Sequence, residues 1–154
     1  MQTAAALQSR IDQLPYHEQC QLLELMEKYE TAKKREASHD NFLDFVKAVW
    51  PAFIEGKHHK TMADAFERVA SGKLKRLIVN MPPRHTKSEF ASYLLPAWFL
   101  GKAPDKKVIQ TAHTAELAVG FGRKVRNLFS DVAFKSVFPG STLRADSKAA
   151  GRWN

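Results

Sequence analysis

The sequence predicts an α/β fold in which part of a parallel sheet follows a helical N-terminal segment. Residues 74–80 and 107–112 are short apolar runs entered by basic turns, the pattern of buried strands. Each is followed by a helix-like pattern, at 87–100 and at 115–129. The first 70 residues carry helical periodicity alone. Strand, loop, helix, strand and helix at this spacing imply a parallel unit with a right-handed crossover.

Residues 3–14 read as a short helix ending at Pro15, and 16–36 as a longer one with Cys20, Leu22, Leu23, Met26 and Tyr29 on one stripe. Its end, Lys33-Lys34-Arg35-Glu36, is a solvated tail. Ser38-His39-Asp40-Asn41 is a polar break holding several N-cap candidates. Phe42, Phe45, Val46 and Val49 form a second stripe, which stops at Trp50-Pro51. Gly56-Lys57-His58-His59-Lys60 reads as a basic loop. Met62, Ala63, Phe66, Val69 and Ala70 share a helical face, and Ser71-Gly72 ends that helix.

After Gly72 come the first strand, a loop at 81–88 and a helix kinked by Pro96. Beyond the second strand, Thr114 is placed to cap a helix with Leu117, Phe121, Val125 and Leu128 on one side. Phe138-Pro139-Gly140 is a turn, and the end of the chain is polar and basic. The tryptophans Trp50, Trp98 and Trp153 and the phenylalanines read as core.

The 154 residues are 44% apolar and 26% charged, which suits one globular domain and excludes collagen-like, mucin-like and wholly disordered chains. The single cysteine, Cys20, excludes a disulfide framework and a multi-cysteine zinc site. It suits a reducing cytosol. No run of 18 apolar residues predicts a membrane span. The first residues lack the basic leader and long apolar stretch of a secretory signal. The net charge of +8 favours a polyanionic partner: nucleic acid, nucleotide or a membrane surface. Solubility alone is the plainer explanation of the same charge.

Chemistry concentrates in Met81-Pro82-Pro83-Arg84-His85-Thr86-Lys87-Ser88. An apolar run delivers the chain to a loop, Lys-Ser follows, and a helix begins. A helix start favours an anion through its free N–H groups and dipole. A lysine there supplies a point charge to β/γ-phosphates, and a serine hydroxyl is a Mg²⁺ ligand. The Walker A pattern is G-x-x-x-x-G-K-[ST]. Here Met81 and Thr86 stand in the two glycine places. An ordinary strand-to-helix turn with an exposed lysine is the plainer reading. His58, His59, His85 and His113 match no zinc-ligand spacing.

With these residues in view, RLIVNMPPRHTKSEFAS and PAWFLGKAPDKKVIQTAHTAELAVGFGRKVR resemble the ATPase domain of large terminase subunits of tailed bacteriophages. FVKAVWPAFIEGKHHKTMADAFERVASGKLKR is similar to the same family, so the resemblance covers about residues 42–154. It implies a P-loop NTPase-type ATPase in a motor that drives duplex DNA into a procapsid. The full proteins of the family also carry a metal-dependent nuclease. Implied partners are double-stranded DNA, a portal protein, a small terminase subunit and further copies in a ring. The implied setting is the host cytoplasm during phage assembly, without a membrane.

The resemblance implies ATP and Mg²⁺ as cofactors. It makes Lys87 the phosphate-loop lysine, Ser88 the Mg²⁺-coordinating hydroxyl and Arg84 the arginine that senses or stabilises the γ-phosphate. Arg84 and Lys87 are the catalytic pair it implies. Pro83, Arg84, His85, Thr86, Lys87 and Ser88 line the nucleotide, and His59 lies in the segment near the adenine. Thr111, His113 and Thr114 occupy the place of a DNA-facing motif, although a helix cap by Thr114 alone explains them equally. Arg123, Lys124 and Arg126, with Lys102, Lys106 and Lys107, are placed to track DNA phosphates, or simply form a solvated face.

A working ATPase also needs an acidic strand end and a water-activating glutamate. Glu89, Asp105, Glu116, Asp131 and Asp146 follow Ser88, and none of them ends an apolar strand. The expectation is therefore a helical extension at 1–38 and the first part of an ATPase domain at 39–154. Such a chain hydrolyses ATP poorly on its own, binds duplex DNA without sequence preference, and is aggregation-prone while later strands are absent. A non-catalytic DNA-binding or assembly fragment with a degenerate phosphate loop is the alternative.

Overall fold

The structure, a computed structural model, describes residue 11, residues 13–143 and the backbone of 148–149 and 152–153. Helices α1 (Tyr16–Asp40), α2 (Phe42–Val49) and α3 (Lys57–Ala70) come first. A π-helical segment (Glu89–Leu94) then runs directly into α4 (Leu95–Lys102), and α5 (Ala115–Leu128) and α6 (Val132–Val137) follow. Lys148–Ala149 and Arg152–Trp153 form a two-residue antiparallel pair. The helix expected over 3–14 lies mostly outside the described residues, as do Asp146 and the side chain of Trp153.

The parallel sheet does not form. Residues 74–80 and 107–112 are extended, but no β-ladder joins them, and no strand occurs between residues 13 and 143. Ile78 is 85% and Ile109 90% exposed, so these runs do not bury their largest side chains. A short apolar run becomes a strand only when a neighbour takes up its N–H and C=O groups. The fold is helical, and the expected P-loop NTPase-type sheet is overturned.

The chain divides into two compact units, Met1–Arg35 and Glu36–Asn154. In the first, α1 exposes Leu23, Leu25, Met26 and Tyr29. In the second, α1 continues through the expected break at 38–41 because its last groups find partners. The carbonyls of Ser38 and His39 accept from the Trp98 indole N–H at 3.2 and 3.1 Å. Asn41 then caps α2, accepting from the Asp44 N–H at 3.0 Å. Glu67 of α3 accepts the free Phe42 N–H at 2.8 Å, placing a carboxylate at the positive end of α2.

The core gathers around Phe42, whose ring lies 5.7 Å from Phe66 and 5.5 Å from both Phe90 and Trp98, edge-on to each. Phe45, Phe134 and Phe138 extend this cluster. Gly72 ends α3 at φ +74°, the left-handed conformation of a helix stop. Thr114 caps α5, accepting from the Leu117 N–H at 3.3 Å. Val125 and Leu128 of its stripe are buried, whereas Leu117 is exposed.

Pro96 causes a wider turn rather than the expected simple kink. It has no N–H to give the carbonyl of Ser92, four residues earlier. The side-chain amide of Gln110 donates to that carbonyl instead, at 3.0 Å. The π-helical turn lies just before the proline, which is a common place for such a register change.

Candidate functional site

Residues 81–88 form a closed loop at the start of the π-helical segment. Val79 and Met81 anchor its entry against the core. Arg84 (φ 64°) and Thr86 (φ 55°) are left-handed, on either side of His85. Thr86 stands where the consensus has its second glycine, and it adopts the conformation for which glycine is favoured. For a β-branched residue this conformation is strained, at a cost of order 1–3 kcal/mol. Left-handed residues interleaved in a turn gather backbone N–H groups into an anion-binding concavity.

Side chains hold this shape. Lys87 reaches back over the loop and donates to the Met81 carbonyl at 3.2 Å. An ammonium has three donors, and no other partner of Lys87 appears among the described residues. His85 Nδ1 donates to the Pro83 carbonyl at 2.9 Å. The Thr86 carbonyl accepts from the Phe90 N–H at 2.9 Å, so the helix starts from the strained residue. Ser88 is exposed, and its hydroxyl makes no capping bond.

The segment 57–60, expected as a loop, is the first turn of α3. His59 is its third residue and accepts the Gly56 N–H on Nδ1 at 2.9 Å, the role a glutamate plays in a capping box. Its Nε2 lies 2.6 Å from Thr86 Oγ1, and Thr86 donates onward to the His85 carbonyl at 2.7 Å. His59 is 5% exposed, between Phe53 and Phe90 with ring centroids at 4.8 and 4.9 Å. Burial first, and then the neighbouring His58, push its pKa below the ordinary 6.5; Glu55 opposes this and His85 adds to it. Glu55 is itself held by Lys47 at 2.7 Å and Lys60 at 3.0 Å.

The structure therefore brings His59, His85, Thr86 and Lys87 into one loop-centred cluster, with the His58 ring centroid 3.8 Å from that of His59, tilted, and 5.6 Å from that of His85, edge-on. Both nitrogens of His59 are engaged, and no trio of metal-ligating side chains occurs among the described residues. Arg84 and Pro83 are exposed on the same loop. Lys124 joins through Glu89, its carboxylate 2.8 Å away, next to Ser88. Thr111, His113 and Arg123 are exposed, and among the described residues no hydrogen bond or ion pair links them to the loop. Arg126 donates to Asn127 at 3.3 Å and lines, with Lys135 and Leu143, an open cavity of about 500 Å³.

Sequence reasoning missed Gly56 and the bond between His59 and Thr86. A Cβ on Gly56 would stand 3.0 Å from His58 Cε1 and 3.5 Å from His59 Nδ1, so only glycine permits this packing without movement. The available signal was a histidine three residues after a glycine at a helix start. Glu89 and Lys124 are 35 residues apart and gave no local signal. Among the described residues no helix is long and apolar enough to cross a membrane. Comparisons with protein-family models, curated proteins and solved structures gave no match.

Proposed function

We propose that residues 81–88 bind the phosphates of ATP, and that the chain is the ATP-binding part of a DNA-packaging motor like the large terminase subunits it resembles. The supporting observation is the pair of left-handed residues, Arg84 and Thr86, immediately before Lys87 at a helix start. Such a concavity depends on local backbone conformation and does not require the sheet that is missing here. Lys87 leaves Met81 to meet the β/γ-phosphates, and Arg84 supplies a second cation from the loop. Mg²⁺ bound to ATP keeps several waters and asks little of the protein; the uncapped hydroxyl of Ser88 would hold it. When bound, Mg²⁺ neutralises phosphate charge. His85 and Pro83 shape the rim.

In this reading the basic residues meet duplex DNA through its phosphates, and affinity falls steeply with salt. Arg123 and Lys124 are exposed on α5, and Lys124 is partly engaged by Glu89. A portal protein, a small terminase subunit and further copies in a ring are the partners the resemblance proposes. Turnover is low in this reading, because among the described residues no acid stands in the water-activating role. Calorimetric titration with Mg-ATP tests the reading: Lys87→Ala weakens binding at least about tenfold. Equal binding by both proteins overturns it. The missing ladder at 74–80 favours one alternative, a DNA-binding or assembly fragment whose loop takes no nucleotide.

A further inference from the structure

His59 forms a directional chain. The Gly56 N–H can only donate, so Nδ1 accepts and carries no proton. The neutral ring then has its proton on Nε2 and gives it to Thr86 Oγ1. Thr86, having accepted, donates to the His85 carbonyl. The three bonds close only around a neutral imidazole. A proton added at Nδ1 faces the Gly56 N–H, donor against donor. The residue at the far end of the chain is Thr86, in a conformation its side chain disfavours.

We propose that neutral His59 is a positioning residue that holds Thr86 left-handed, and that this makes the phosphate affinity of loop 81–88 fall in acid. The inference rests on the phosphate-binding reading above. The groups facing His59 are Glu55 from the preceding segment, His58 from its own helix and His85 from the loop; Phe53 and Phe90 complete its surroundings. Glu55 favours the imidazolium, but Lys47 and Lys60 already share its charge. Burial and the two histidines disfavour the imidazolium. The depressed pKa sets the sign. Well above 6.5 the ring is neutral and the loop is fully held; as pH falls through the lower folded value, the new Nδ1 proton opposes the Gly56 N–H, displaces the ring from its seat and so weakens its hold on Thr86.

The experiment uses the full chain and Mg-ATP, with affinity measured from pH 7.5 to pH 5.5. Thr86→Gly is the reference, because glycine is left-handed without help and shares the protonation of ATP itself. The ratio of wild-type to T86G affinity falls progressively as acid protonates His59, toward the roughly tenfold limit expected for one strained residue. His59→Ala weakens binding about tenfold at pH 7.5, and adding Thr86→Gly restores it. His59→Gln keeps an amide donor at the Nε2 position and does not titrate, so its ratio stays flat; it also decides the matter if His59→Ala fails to fold. A flat wild-type ratio, or an equal loss from His59→Ala with glycine at 86, overturns the proposal. If no variant binds Mg-ATP through Lys87, the phosphate reading has failed on its own. The NMR coupling and carbon shifts of Thr86 then decide: loss of the left-handed φ in acid or in H59Q's alanine counterpart supports the positioning role, and its persistence overturns it.

Discussion

The packing around Phe42 and the extended runs at 74–80 and 107–112 dispose of apolar side chains in opposite ways. In the first, Phe42, Phe45, Phe66, Phe90 and Trp98 are at most 2% exposed. In the second, Ile78 and Ile109 stand almost entirely in solvent. Both regions carry large apolar side chains in the sequence. The difference lies in the backbone: a helix satisfies its own N–H and C=O groups and needs only a face to bury. An extended run must find a neighbour first.

The largest test of that contrast is Phe42→Ala. It removes a ring shared by three helical segments and costs about 3–5 kcal/mol, read as a shift in the urea midpoint at constant slope. A loss below about 1 kcal/mol would mean that the aromatic cluster is not the core. Gly101→Ala is next. The new Cβ would lie 2.6 Å from the Phe138 ring, which is buried and cannot swing aside, so about 1–3 kcal/mol is lost. Gly120→Ala is its counterpart on α5: nothing lies within 4 Å, and thermal unfolding shows a gain of about 0.4–1 kcal/mol. The smallest effect belongs to Ile78→Ser and Ile109→Ser, each within about 0.5 kcal/mol of the parent chain. A loss of 2 kcal/mol or more, the order of a buried isoleucine, would mean that these runs are packed as strands after all.

What was legible in the sequence is local. Asn41, Thr114 and Gly72 act within three or four residues of themselves, and their roles as caps and stop could be read from the chain. The stripe at Phe42, Phe45 and Val46 was legible because helical periodicity reports a face directly. The strands were misread because their existence depends on residues elsewhere. The helix start at Lys57 was hidden by Gly56 and by a histidine in a role usually taken by glutamate. Within the candidate site, Lys87 and Ser88 were singled out by the phosphate-loop pattern, and their role there is the one proposed above. His59, 27 residues from Thr86, could be connected to it only in three dimensions.

The bond from Gln110 to Ser92 has a consequence for thermal motion. It is the one polar tie of residues 107–112 to the helices among the described residues. A single neutral hydrogen bond is worth about 1 kcal/mol net, which leaves it broken in roughly one molecule in six at room temperature. Pro96 makes the opening cheap for the helix, since the Ser92 carbonyl then turns to water and no backbone bond is lost. The extended segment thus fluctuates away from its anchor while the helix beneath it stays wound. Amide protons of 107–112 exchange on a timescale unrelated to global unfolding, and those of α4 follow the slow clock of the core.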